Sequence, residues 1–382
     1  MLKKLIIKNI NSIKVCELDF KKGSYHFMED NIIGDVANPI ALYGHNGSGK
    51  TSIFNAIASL INLMIEPAEF LTPFIVNNFL FEEYKKDKIK KEEKIIGSIE
   101  LFFTIDKNEY NYYIETTRLG FISKEYLKKN KETIITRNRE NYSYNNKPYS
   151  FDNMSFLVPA LRKLASSEIN DESIQKCFSF ISSFTFVNLP FINRGSFVTS
   201  KMYKNTSTNE LLVNYSEEVK AILKTYNEFP VYSIKKRESL ESTNNPSSQF
   251  SLIIEGDNFK GELPFEMLSA GMKNQSVLLS ILLSMPQNGV LFVDELEQAL
   301  HPSAISSFLN VVKKKGIQLV FSSHNTYILQ LLRPDQVFFA KWYNGFSQYA
   351  RLSKIYPNIR EINNMEKMYL SSVFDESIKN AK

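Results

Sequence analysis

GHNGSGKT, residues 44–51, decides how this 382-residue chain is read. The spacing is G-x-x-x-x-G-K-[ST], that of a phosphate-binding loop. An apolar run, PIALY at 39–43, precedes it, and a helical pattern, SIFNAIASLI at 52–61, follows. Strand, loop and helix in that order are the context the motif requires. Gly44, Gly47 and Gly49 let backbone N–H groups turn inward around an anion, with Asn46, Ser48 and Ser52 completing the lining. The start of the helix adds the positive end of its dipole. Lys50 is placed to reach the β- and γ-phosphates of a nucleotide, and the Thr51 hydroxyl to bind Mg2+. A glycine-rich turn that happens to precede a lysine is the bland alternative. His45 reads as a variable loop side chain.

Three later stretches supply what a phosphate loop needs around it. VLFVDE at 290–295 is an apolar strand ending in two acids. Open α/β sheets place metal ligands at such strand ends. Asp294 is expected to hold Mg2+, directly or through water, and Glu295 to polarise the attacking water as general base. LSAGMK at 268–273 precedes a helical run over 274–285 that stops at Pro286. Ser269 is a natural N-cap, and Gly271 allows an anion close to the helix start. Taken alone this is an ordinary helix beginning. LVFSSH at 319–324 is another apolar run, ending in a histidine. His324 reads either as a satisfied structural histidine or as a hydrogen-bonding partner of the γ-phosphate or attacking water. His26 and His301 carry no site argument.

The rest of the chain bounds the class. At this length two or three structural units are expected. Hydrophobic residues are 43% and charged residues 23%, ordinary for a globular protein. No apolar run approaches the roughly 20 residues of a membrane helix, and the N-terminus lacks a signal-peptide pattern. Cys16 and Cys177 lie far apart without metal-type spacing, which fits a reducing compartment; a cytoplasmic location is expected. The net charge of +5 permits nucleic-acid contact without demanding it. Alternation predicts strands over 2–10, 15–20, 96–104, 109–116 and 133–137, with a turn at 106–108. The charge run within 84–94 reads as a solvated surface, with a nucleic-acid or partner contact as the minority reading. From 151 to about 229 the period is helical, with Leu157, Leu161 and Leu164 on one face and Ile174, Cys177, Phe178 and Ile181 on another. Sustained heptads are absent. Residues 238–249 read as an exposed loop and 251–255 as a short strand.

In this order the motifs resemble the ATP-binding-cassette type of ATPase. Within it they are most similar to the branch that includes SMC and double-strand-break-repair ATPases and the ATPases of bacterial anti-phage and abortive-infection systems. KNINSI at 8–13 is similar to the family's opening, usually closer to KNFRS; Asn11 stands where an arginine is common. LSAGMK resembles the signature LSGGQ, matching at Ser269 and Gly271 and departing at Ala270 and Met272. VLFVDE matches the Walker B strand, ALHP at 299–302 the loop after it, and SHN at 323–325 the switch histidine. NIREINNMEKMYL at 358–370 is similar to the tail of abortive-infection-type ATPases. The likeness covers 1–63 and 261–369, and the glutamine of the loop joining the two lobes has no assigned position.

The resemblance implies an α/β fold, an ABC-type nucleotide-binding domain built on a mixed sheet with an antiparallel β subdomain and carrying a helical insertion. Residues 1–150 would form the N-terminal lobe, 151–250 the mainly helical insertion, and 251–382 the C-terminal lobe. ATP and Mg2+ are the implied cofactors and ATP hydrolysis the implied reaction, with Lys50, Glu295 and His324 as catalytic residues. The family pairs head to tail, so a homodimer or higher even oligomer is expected. In that pairing Ser269 and Gly271 of one copy meet the nucleotide held by the other. Three functions compete: a regulatory ATPase of phage defence, a DNA-repair or chromosome ATPase, and a transporter's energy subunit. The missing heptads weigh against the second, and the unassigned glutamine and irregular signature against the third. The tail after His324 is too short for a nuclease domain. The first reading therefore implies a separate effector, a nuclease or toxin, with DNA or a phage protein as trigger and no membrane partner.

Overall fold

The computed structural model describes residues 1–66, 96–117, 120–150, 157–189, 198–200, 208–225, 232–238, 250–256, 263–264 and 267–374. The charge run at 84–94 and the polar stretch at 239–249 lie outside the described residues. Among them, fifteen strands form one continuous mixed sheet. Five neighbours run parallel, in the spatial order Val337–Tyr343, Ile40–Tyr43, Gln318–Ser322, Val290–Asp294 and Thr185–Asn188. IALY, QLVFS and VLFVD are buried at every position, as strands covered on both faces must be. Strand alternation divides them between two cores. Ile40, Leu42, Val290, Phe292 and Val320 face the helix Lys50–Ile65, while Ala41, Tyr43, Leu291, Val293 and Phe321 face the helices Ala270–Ser284 and Pro302–Lys315.

The other half of the sheet is antiparallel. Leu2–Ile10 pairs with both Ile13–Asp19 and Ile96–Ile105, and the meander continues through Asn108–Thr117, Ile122–Lys129 and Glu132–Asn138. Asn108–Thr117 alternates buried with half-buried residues, the pattern of a sheet with one wetter face. Asp106 and Lys107 turn the hairpin at φ 48° and 69°. Ile122–Lys129, ISKEYLKK, is a strand that its charges conceal from a hydrophobic-period reading.

The stretch read as helical supplies the helices Ala160–Ala165, Glu172–Ser182, Thr208–Asn214 and Ser216–Leu223. It also supplies the strand Thr185–Asn188, which pairs in parallel with Val290–Asp294. Four residues, TFVN, are too few for periodicity to tell a strand from a helical turn. Glu125, 1% exposed, joins this region to the antiparallel sheet. It accepts hydrogen bonds from the Tyr112 hydroxyl at 2.9 Å and from the N–H groups of Ala160 and Leu161 at 2.6 and 2.9 Å. From the same short helix, Arg162 donates to the carbonyls of Leu63 and Glu66 at 3.0 and 2.6 Å, satisfying the open end of Lys50–Ile65. No helix among the described residues is long and apolar enough to cross a membrane.

Candidate nucleotide site

The parallel strands run the same way, so their C-terminal ends meet at one edge. Ile40–Tyr43 delivers the phosphate loop there, and Lys50–Ile65 starts from it. Gly44, Gly47 and Gly49 have φ of 150°, 76° and 99°, so all three use backbone that favours glycine. A Cβ on Gly44 would collide with the Ala340 carbonyl, and one on Gly49 with the Ser347 hydroxyl. Around Gly47 the space is open. The side chains of Asn46 and Thr51 are exposed, Ser52 is half-buried, and Lys50 is 6% exposed. Lys50 Nζ donates to the carbonyls of Gly44 at 2.8 Å and His45 at 3.2 Å. Burial lowers its pKa, while Asp294, Glu297 and Glu295 pull it back up. Ser48 Oγ is buried without a hydrogen-bond partner.

The back of the loop is buttressed by residues that the motif does not reveal. Ser12 Oγ lies 2.8 Å from Ser52 Oγ and 2.7 Å from Ser347 Oγ. Asn11 donates to the Ser52 carbonyl at 3.4 Å and the Tyr349 hydroxyl to that of Gly49 at 2.8 Å. The first hairpin and the last one therefore grip the loop together. Lone serines give no sequence signal for this.

Two strands supply the facing side. Val290–Asp294 ends in Asp294, 3% exposed, whose carboxyl is pushed up by burial. Hydrogen bonds from the Ser322 and Thr51 hydroxyls and the charge of Lys50 oppose that shift. Ser322 links the strands: its hydroxyl donates to Asp294 Oδ1 and accepts the Glu295 N–H at 2.8 Å. Glu295 is half-buried in the left-handed region at φ 57°, sparsely populated for a non-glycine residue. Gln318–Ser322 lies between this strand and the phosphate-loop strand, and brings His324 to the same edge. Partial burial and Lys50 lower the imidazole pKa below its ordinary 6.5, against Glu297, Glu295 and Asp294. Thr51 and Asp294, oxygen donors in contact, suit Mg2+, which takes one or two protein oxygens beside phosphates and water. No group of three or more His, Cys, Asp or Glu that could hold a metal occurs among the described residues.

Glu297 was not singled out from the sequence. Its Oε1 accepts the His324 backbone N–H at 2.8 Å, and its Oε2 is buried without a partner. Among the carboxylates it opposes the lowering of the His324 pKa most strongly, and it acts on Lys50 and Tyr43 as well. The available signal was the spacing DELE at 294–297.

Ser269 and Gly271 lie at the start of Ala270–Ser284. Ser269 caps the helix, accepting the Met272 N–H at 3.3 Å. Both residues are exposed, and a Cβ on Gly271 would meet nothing within 4 Å. No hydrogen bond among the described residues joins either of them to Lys50, Thr51, Asp294 or Ser322.

A phosphate loop after a central parallel strand, with a carboxylate strand two places away and a third strand between, is the arrangement of a phosphate-loop domain. A family model described as "AAA domain, putative AbiEii toxin, Type IV TA system" matches residues 40–330, and the chain belongs to that family. Among solved structures it is similar to an SMC head bound to the C-terminal winged-helix domain of ScpA, at 12% identity and a TM-score of 0.49, covering 91% of this chain and 96% of that one. The SMC head domain from Thermotoga maritima is 15% identical at a TM-score of 0.44, with 92% and 98% covered. An SMC head with extended coiled coil bound to the C-terminal domain of ScpA, from Pyrococcus furiosus, is 13% identical at 0.44, with 98% of each covered. No curated protein matches the chain.

Proposed function

We propose that this chain binds ATP with Mg2+ at the sheet edge, hydrolyses it, and closes head to tail with a second copy around the nucleotides. In this reading it is the regulatory subunit of an abortive-infection-like anti-phage system in the cytoplasm. It controls a separate effector, a nuclease or toxin, on a DNA or phage-protein signal. The observation that carries the chemistry is the meeting of Lys50, Thr51, Asp294 and Glu295 at one edge of the parallel strands.

Lys50 exchanges the carbonyls of Gly44 and His45 for the β- and γ-phosphate oxygens, and the Ser48 hydroxyl gains a phosphate partner. Gly44, Asn46, Gly47, Gly49 and Ser52 wrap the phosphates through backbone N–H groups. Thr51 and Asp294 hold the metal ion, which when bound offsets the charge developing on the phosphoryl oxygens. Glu295, fixed through its N–H to Ser322, accepts a proton from the attacking water. His324 hydrogen-bonds the γ-phosphate or that water. Pairing is supported by the exposed Ser269 and Gly271, whose helix start can present a second positive dipole to a neighbour's γ-phosphate.

The defence role is supported by the family description, which names an AbiEii toxin and a type IV toxin–antitoxin system. The same words favour a second reading, in which this chain is itself the toxic member of a pair. Expression with and without the neighbouring gene separates the two, because a toxin halts growth when its neighbour is removed. For the first reading, cells carrying both genes are challenged with phage. Lys50→Ala is expected to abolish ATP binding and protection together; undiminished protection by that variant contradicts the proposal.

A further inference from the structure

The ATP reading assigns the phosphates and leaves the nucleobase without a place. The strand order supplies one. Asp294, Glu295 and His324 all lie on one side of the phosphate-loop strand, and Val337–Tyr343 borders it on the other. A triphosphate whose γ-end is drawn to the carboxylate side leaves its nucleoside on the opposite side.

Val337–Tyr343 runs parallel to Ile40–Tyr43, with Phe339 beside Tyr43, and continues past it. Trp342 is three residues further on, about 10 Å along an extended strand. Its direction follows from pairing. Trp342 stands opposite Ser347, and Ala340 opposite Tyr349, so the four side chains share one face. On that face the Ser347 hydroxyl lies against Gly49 and the Tyr349 hydroxyl donates to the Gly49 carbonyl at 2.8 Å. Phe338, two residues before Ala340, packs into the core beneath Lys50–Ile65. Trp342 therefore projects on the phosphate-loop face, on the same rung as Ser347 and one rung beyond Tyr349, and is 43% exposed. Tyr343 and Phe346, the other aromatics of this hairpin tip, alternate to the opposite face, where Lys14 Nζ lies 5.1 Å from the Phe346 ring centre.

We propose that Trp342 is the platform on which the base of the bound nucleotide stacks, so that the site reads ring area rather than a hydrogen-bond pattern. This rests on the phosphate-loop reading above and adds to it the class of base. Every base presents a π-face, so stacking tolerates identity and favours the larger purines. ATP and GTP are then held alike, and pyrimidine nucleotides less tightly.

Trp342 is the chain's single tryptophan, so emission excited to the red of tyrosine absorption reports this position alone. The full-length protein is titrated with ATP, GTP, UTP and inorganic tripolyphosphate, each with Mg2+, by fluorescence and calorimetry in parallel. ATP and GTP are expected to change the emission saturably at their calorimetric affinities. UTP should bind more weakly, and tripolyphosphate should bind with the emission unchanged. Trp342→Ala should weaken ATP binding by roughly tenfold to a hundredfold, with Trp342→Phe restoring most of it. Calorimetric ATP binding without any emission change, or undiminished affinity in Trp342→Ala, overturns the platform and leaves the phosphate loop standing. UTP held as tightly as ATP overturns selection by ring area. No heat from either ATP or tripolyphosphate removes the phosphate-loop reading and the platform with it.

Discussion

Asp294 and Glu125 are both buried carboxylates pushed up by their surroundings, and the molecule treats them in opposite ways. Glu125, in the antiparallel half, receives a tyrosine hydroxyl and two backbone N–H groups, with Arg137 also opposing its shift. Its hydrogen-bonding capacity is largely spent inside the fold. Asp294, in the parallel half, receives the hydroxyls of Ser322 and Thr51 and the charge of Lys50, which itself donates to its own loop's carbonyls at Gly44 and His45. Nearby, Ser48 Oγ and Glu297 Oε2 are buried without partners. Buried polar groups are normally satisfied, and a bound phosphate would supply the partner that Ser48 Oγ lacks. The comparison sets a carboxylate that holds the fold beside one that the proposed function assigns to a metal ion.

The largest expected effect breaks the two apart in activity. Asp294→Asn should lower ATP turnover by roughly a hundredfold or more, since metal positioning is worth several kcal/mol in the transition state. Its melting temperature should stay level or rise, because a desolvated charge is removed. A marked loss of stability in that variant would place Asp294 with Glu125 as a structural group.

Glu125→Ala should do the reverse. Two N–H groups and a tyrosine hydroxyl lose their acceptor and Arg137 its counter-charge, at a cost of about 3 kcal/mol or more by denaturant unfolding. A variant as stable as the parent would contradict the structural role.

A smaller effect sharpens the same contrast through pH. Burial raises the Glu125 pKa, so the native state holds that proton to higher pH than the unfolded chain does. The contribution is complete below the ordinary carboxylate value of roughly 4.3 and is lost as pH rises through the raised native value. In Glu125→Gln that fall is absent. The stability of the parent relative to Glu125→Gln should therefore decline from about pH 4 upward; a flat difference contradicts the raised pKa.

What could be read beforehand follows from where each signal resides. Asp294 and His324 each close a short apolar run and Lys50 ends the glycine-rich loop that follows another, so these chemically distinctive residues are legible locally. The strands at 2–10 and 40–43 and the cap at Ser269 were accessible for the same reason. Ser12, Ser347 and Tyr349 were not, because their contacts with the loop and with one another join residues 40, 300 and 335 apart in sequence. Glu297 reads as a solvated acid until the fold sets its carboxylate under the His324 N–H. Trp342 looks like one more aromatic in an apolar strand, and only the register shows its face.

The central claim is that two copies clasp ATP between the Lys50 loop of one and the Ser269–Gly271 helix start of the other. Its most direct test is the mass of Glu295→Gln in solution, measured by light scattering with and without ATP and Mg2+. The account predicts a monomer that becomes a dimer on adding ATP, and a Ser269→Arg, Glu295→Gln double variant that binds ATP yet stays monomeric. A Glu295→Gln protein that saturates with ATP without any change in mass would contradict it.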